Sequence, residues 1–154
     1  MNVNKLWIAL LAVATLWSCG KDNDLTDRSK FFECKVDGVG YEIKGLFAYA
    51  VESTIDGTIA VYGLKGDGSE TIYVIIPEGA AEGTYNLGKE EDGNGYVVID
   101  DVSYTTVDDG GTGTVTVTKR KDNNVEGTFS FTAFTVDGQS IEITDGKFEV
   151  EVRD

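Results

Sequence analysis

Histidine is absent from this 154-residue sequence, and proline and methionine occur once each. Without histidine there is no Ser-His-Asp or Cys-His catalysis, and the usual ligands of a catalytic zinc are missing. Positive charge is scarce, with 13 Lys and Arg against 27 Asp and Glu, a net charge of −14. Nucleic-acid affinity comes from Lys and Arg neutralising phosphates, so this balance argues against nucleic acid. It argues equally against adhesion to an anionic bilayer. A run long enough to span a membrane is missing too. Leu6 to Leu16 is apolar and uncharged, but about 20 such residues are needed.

That short run, preceded by Lys5, fits the hydrophobic region of a secretory signal peptide. It has no polar face, which disfavours an amphipathic helix packed on a core. Leu16-Trp17-Ser18-Cys19 resembles the lipobox of bacterial lipoproteins, with Trp17 where a small residue is usual. The resemblance implies cleavage between Ser18 and Cys19 and lipidation of Cys19 by diacylglycerol, followed by an N-acyl chain such as palmitate. Several chains give stable anchoring where one is marginal. Gly20 to Lys30 is polar and charged and cannot offset its own ordering entropy, so it reads as a flexible acidic tether. Within it, Lys21-Asp22-Asn23-Asp24 resembles the surface-export signal of Bacteroidota lipoproteins, although a plain solvated linker fits as well. The organisation expected is therefore signal peptide 1–18, lipidated cysteine and tether 19–30, and a domain over 31–154. The expected location is the bacterial outer membrane, facing the cell surface, with a periplasmic orientation as the alternative.

Loss of residues 1–18 removes Lys5, both tryptophans and the methionine, and deepens the acidic excess. It also leaves Cys34 without a partner, so no internal disulfide is expected.

From Phe31 onward, β-branched and aromatic runs alternate with polar residues. Phe32, Cys34 and Val36 share a face opposite Glu33 and Lys35. Phe129 and Phe131, Val115 and Val117, and Phe148, Val150 and Val152 alternate likewise. One apolar and one polar face per strand is the pattern of antiparallel sheets with a solvated side. Ile72 to Ile76 is apolar on both faces and suits a central strand, closed by Pro77. Asp-Gly at 37, 56, 67, 137 and 145 supplies turns, since both residues tolerate positive backbone angles. Asn123-Asn124 supplies another. These signals predict nine or ten strands and essentially no helix after Cys19. The expected fold is all-β, a single antiparallel β-sandwich with a flattened β-barrel as the alternative. A parity change after Ala133 predicts a bulge near Ala133 and Phe134. Phe31–Ile43 and Phe131–Ile143 share F-x-x-x-x-V-D-G-x-x-[YI]-E-I, which reads as two hairpins built on one kind of turn.

The segments Phe32-x-x-x-Val36-Asp37-Gly38, Gly113 to Val117, Gly127 to Phe131 and Ile143 to Phe148 resemble a family of small Bacteroidota lipoproteins of uncharacterised function. The resemblance implies an all-β fold and a lipid anchor, and it brings no catalytic or binding residues.

Four chemistries deserve weighing. Paired carboxylates hydrolyse glycosides without histidine, and Glu90, Glu91, Asp92, Asp100, Asp101, Asp108 and Asp109 are available. They sit in Gly-rich or charged stretches with no sign of the dry pocket that raises a catalytic pKa, so no enzyme is expected. Calcium favours clustered hard oxygens, which Asp92, Asn94, Asp108 and Asp109 offer, although solvated turns explain them too. Cys34, by its parity, is a small core hydrophobe rather than a nucleophile. Lastly, seven tyrosines are spread along the domain. Sugars stack on exposed rings, and Tyr96 and Tyr104, beside acidic loops, are the candidates. The reading that results is a monomeric, non-catalytic binding or envelope-structural module. Its membrane contact is through lipid only, and its partner is an envelope protein or a glycan. A glycan-binding module and a carboxylate hydrolase are the alternatives.

Overall fold

The computed structural model describes residues 29–77, 79 and 81–153. Ser18, Cys19, the signal peptide and most of the tether lie outside the described residues. The described residues form eleven strands: β1 (Phe31–Val36), β2 (Val39–Lys44), β3 (Ala48–Glu52), β4 (Ile59–Leu64), β5 (Glu70–Ile76), β6 (Gly83–Gly88), β7 (Asn94–Ile99), β8 (Val102–Thr105), β9 (Thr112–Lys121), β10 (Asn124–Phe134) and β11 (Ser140–Arg153). The only helical piece among the described residues is a 3-10 turn over Gly45–Phe47. None of the described helices is long and apolar enough to cross a membrane.

The all-β expectation holds, with eleven strands instead of nine or ten. They form one sheet in the order β2-β1-β11-β3-β4-β5-β7-β8-β10-β9-β6. An additional β10–β11 pairing folds the run back on itself, so the layers enclosing the core belong to one continuous sheet. Every strand-to-strand pairing among the described residues is antiparallel except β11 with β3, where Val152 and Arg153 run alongside Ala50 and Val51.

Alternation fills the interior. Phe32, Ile59, Val61, Ile72, Val74, Ile76, Val97, Val115, Val125, Ile143 and Phe148 are buried. Ile72 to Ile76 lies mid-sheet between β4 and β7, as its composition predicts. Phe129 ties the core together, with its ring 4.9 Å from Phe32 and 6.2 Å from Phe148. Gly63 makes room for Phe32, because a β-carbon there would lie 2.4 Å from that ring. Tyr41 caps the same spot, its hydroxyl donating to the Gly63 carbonyl at 2.8 Å.

The turns divide in an instructive way. Asp37-Gly38 makes a two-residue hairpin between Val36 and Val39, both residues at positive φ. The second copy of that motif also forms a hairpin, but a longer one. Phe134 pairs with Ser140, and Gly138, not Asp137, takes positive φ. The turn expected at Asn123-Asn124 is displaced by one residue: Lys121 pairs with Asn124 across Asp122 and Asn123.

Two expectations are overturned. Asp145-Gly146 is not a turn. It lies inside the 14-residue β11, where Asp145 at φ 53° is the extra residue of a bulge. Both neighbours report it. Phe129 faces Gly146 while Phe131 faces Ile143, and Glu33 faces Lys147 while Lys35 faces Thr144. Near Ala133 and Phe134, by contrast, pairing with β11 is regular, Ala133 opposite Ile141 and Phe134 opposite Ser140. The apparent parity switch has another cause. Ala133 points into the core and Phe134 is the apolar residue of the outer face. Val136 is 93% exposed in the loop beyond.

Candidate functional site

Two outer surfaces of this sheet differ sharply. Across β1, β2, β9, β10 and β11 runs an open groove of about 950 Å³, lined by Glu33, Lys35, Glu42, Thr128, Asp145, Lys147 and neighbours. Its charges neutralise one another. Lys35 pairs with Asp145 at 2.8 Å and Lys147 with Glu33 at 3.7 Å, and Lys44 takes Glu42 at 2.8 Å. Glu33 and Glu42 are cross-strand partners, yet their side chains are 38% and 55% exposed and each faces a lysine. A carboxylate raised for acid catalysis needs the opposite, a dry site without a counter-ion.

The outer face of β3, β4, β5, β7 and β8 is different in kind. Solvated strand faces usually carry polar and charged residues. Here the register sets Tyr49 opposite Tyr62, Tyr62 opposite Tyr73, and Tyr73 opposite Tyr96. All four are partly exposed. Their rings stack in sequence, with centroids 5.2, 4.9 and 4.7 Å apart and interplanar angles of 22°, 30° and 8°. One row to one side runs Val51, Ala60, Ile75 and Asn94, and one row to the other runs Leu64, Thr71, Val98 and Ser103. On these five strands the three rows hold no charged residue, in a chain of net charge −14, and Arg153 of β11, opposite Val51, stands at their edge.

The local sequence explains the row. Each tyrosine sits between two buried residues of its own strand: Ala48 and Ala50, Val61 and Gly63, Ile72 and Val74, Gly95 and Val97. Period-2 alternation then turns all four rings outward. Cross-strand aromatic pairs stabilise a sheet, so the ladder supports the same register that builds it. Arg153 closes one end, its guanidinium 4.5 Å from the Tyr49 ring centre, at a distance for cation–π attraction. Burial, then neighbouring Tyr96 and Tyr62, push the Tyr73 phenol up to about 12. Burial and Tyr49 raise Tyr62 in the same direction. Tyr41 donates to backbone carbonyls of Gly63 and Glu70, and Tyr85 to that of Ala81. No such partner engages the hydroxyls of the four ladder tyrosines among the described residues.

The candidate residues fall as follows. Tyr96 is a rung of the ladder. Tyr104 is not, for its register partner is Val97 and it packs against the core from the inner side of β8. Tyr49, Tyr62 and Tyr73 are the residues the sequence reading passed over. The signal that identifies them is the tyrosine flanked on both sides by small or aliphatic residues within a strand. Asp100 and Asp101 form the two-residue β7–β8 turn, at φ 50° and 65°. Glu90, Glu91 and Asp92 are exposed in the β6–β7 loop, and Asn94 starts β7. Asp108 and Asp109 lie in the β8–β9 loop. Asp109 meets Lys89 at 2.6 Å, and this lysine holds its carboxyl below the ordinary range. Among the described residues, no three His, Cys, Asp or Glu side chains gather closely enough to hold a metal ion. Cys34 is buried, and burial, then Glu33, push its thiol up to about 12, which fits a core residue.

An all-β domain with one aromatic face whose rows hold no carboxylate and one charge-paired groove is thus the class of molecule at hand. The chain belongs to a family described as Domain of unknown function (DUF6252), whose model matches residues 31–150. No curated protein and no solved structure matches it.

Proposed function

We propose that this domain is a non-catalytic binding module that takes neutral glycans on its tyrosine face. The observation that carries the reading is the ladder itself. Four phenols stand side by side with no hydrogen-bond partner in the described residues, in rows without a carboxylate and with Arg153 at one end. Contiguous exposed apolar surface of this kind marks interaction sites. Tyrosine joins an apolar body to a polar tip, which suits a ligand with both C–H surfaces and hydroxyls. A neutral ligand also avoids the repulsion that this acidic chain would exert on an anionic one.

In this proposal the module hangs from a lipid anchor at Cys19 by the tether to Lys30, at the bacterial outer membrane and facing outward. Leu6 to Leu16 and the Leu16-Trp17-Ser18-Cys19 motif support that part. Cys19→Ala then abolishes palmitate incorporation and leaves an uncleaved precursor.

The glycan reading is tested by binding of the full chain to an array of neutral and acidic polysaccharides. The array is repeated with Tyr62→Ser/Tyr73→Ser. Retention of neutral glycans by the native chain, lost in the double variant, is the expected result. A native chain that binds no glycan, or a double variant that binds as well as the native chain, overturns it.

A further inference from the structure

The tyrosine ladder is capped at one end and open at the other. At the capped end Arg153 covers Tyr49. At the open end the next rung is Thr105, directly opposite Tyr96, and the rung after it is Phe134, directly opposite Thr105. Register partners share a face of the sheet, so Tyr96, Thr105 and Phe134 line up with one small residue between two rings. Two strand spacings separate the strands of Tyr96 and Phe134, about 9.5 Å. A flat group in contact on both sides needs roughly 7–8 Å. The strand spacing across the slot left by the missing rung is therefore that of one flat ring.

We infer that this slot, floored by Thr105 and walled by Tyr96 and Phe134, is the stacking subsite for a single pyranose ring of a neutral glycan. The inference rests on the glycan reading above and adds a place to it. Within the ladder the tyrosines stack on each other, so they present edges and hydroxyls to a ligand. Among the described residues no ring lies against the side of Tyr96 toward Thr105, which leaves a π-face for C–H contacts. The Phe134 ring lies against Gly110 of the β8–β9 loop, where a β-carbon would be 3.4 Å away, so packing holds that ring in place. The floor is positioned as well, because the Thr105 hydroxyl accepts from the Val107 backbone N–H at 3.0 Å. Ser103, exposed and on the same face, adds a hydroxyl beside the rung. From the slot the four phenols lead away in a row, a track of polar tips for the sugars that follow.

The test fills the slot without disturbing the ladder. Thr105→Tyr supplies the missing rung, whereas Thr105→Ser keeps the slot open and keeps the hydroxyl. Full chain in a sugar-free zwitterionic detergent is titrated calorimetrically with neutral hexasaccharides of β-1,4-glucan, β-1,4-mannan and α-1,4-glucan, and with N-acetyltryptophanamide. The expected result is that one hexasaccharide binds the native chain and Thr105→Ser within about threefold of each other, with Thr105→Tyr weaker by about tenfold or more. Thr105→Tyr should melt no lower than the native chain, which separates blocking from unfolding. Should it melt lower, Phe134→Ala removes a wall instead and must weaken the same sugar. Equal sugar binding by the native chain and a folded Thr105→Tyr overturns the slot and leaves the glycan reading standing. Failure of every sugar with the native chain overturns both. Binding of N-acetyltryptophanamide in place of sugar assigns the slot to aromatic side chains and overturns the proposal too.

Discussion

Tyr73 and Tyr96 stack with ring centres 4.7 Å apart and planes 8° from parallel, the tightest rung of the ladder. Tyr73 also stacks on Tyr62 at 4.9 Å, so it serves two contacts at once. Tyr73→Ala should lower stability by about 1–2 kcal/mol in urea unfolding, from two aromatic cross-strand pairs. Tyr73→Phe keeps both stacks and loses only a hydroxyl that has no hydrogen-bond partner among the described residues. It should stay within about 0.5 kcal/mol of the native chain.

The same residue gives the fold an alkaline limit. The folded state lifts the Tyr73 phenol from 10.0 to about 12. The folded chain thus keeps a proton that the unfolded chain releases. Its stabilising contribution is complete below pH 10 and is lost as pH rises toward 12. Unfolding midpoints measured across this range should fall, and they should fall less steeply in Tyr73→Phe.

Gly63 and Phe32 make a further case. The β-carbon of an alanine at 63 would meet Phe32 backed by Phe129, at 2.4 Å from the Phe32 ring. Core overpacking of this kind costs about 1–3 kcal/mol, so Gly63→Ala should reduce the urea midpoint accordingly. Near-UV circular dichroism should report the displaced ring.

Asp100 and Asp101 hold left-handed angles that Asn-Gly adopts more readily. Asp100→Asn with Asp101→Gly should raise stability by about 0.5–1 kcal/mol, measured by the same unfolding assay. A drop would mean that these carboxylates do more than turn the chain.

Much of this architecture can be read from residues near each other in the chain. Phe32, Cys34 and Val36 announce their face by alternation alone, and Asp37-Gly38 announces its hairpin because both of its angles are local. Asp145-Gly146 carries the same local signal yet bulges, since pairing with β1 and β10 holds β11 extended on both sides of it. The ladder is harder still. Tyr49, Tyr62, Tyr73 and Tyr96 are unevenly spaced, and loop lengths decide whether they align. β6 intervenes in sequence between β5 and β7 but pairs with β9, which carries Tyr85 away from the row. Each tyrosine's outward direction is therefore written in its own strand, while their meeting is written only in the register between strands.

The pairings of β11 bear on how the chain reaches this state. This strand is the last of the eleven in sequence, and it pairs with β1, β10 and β3. Until it is in place, β1 and β3 have no bridge between them. The domain therefore cannot finish folding progressively from its N-terminal strands as they emerge from the ribosome. It must wait for its C-terminal strand and then close contacts spanning most of its length, a topology that folds slowly and leaves strand edges open meanwhile.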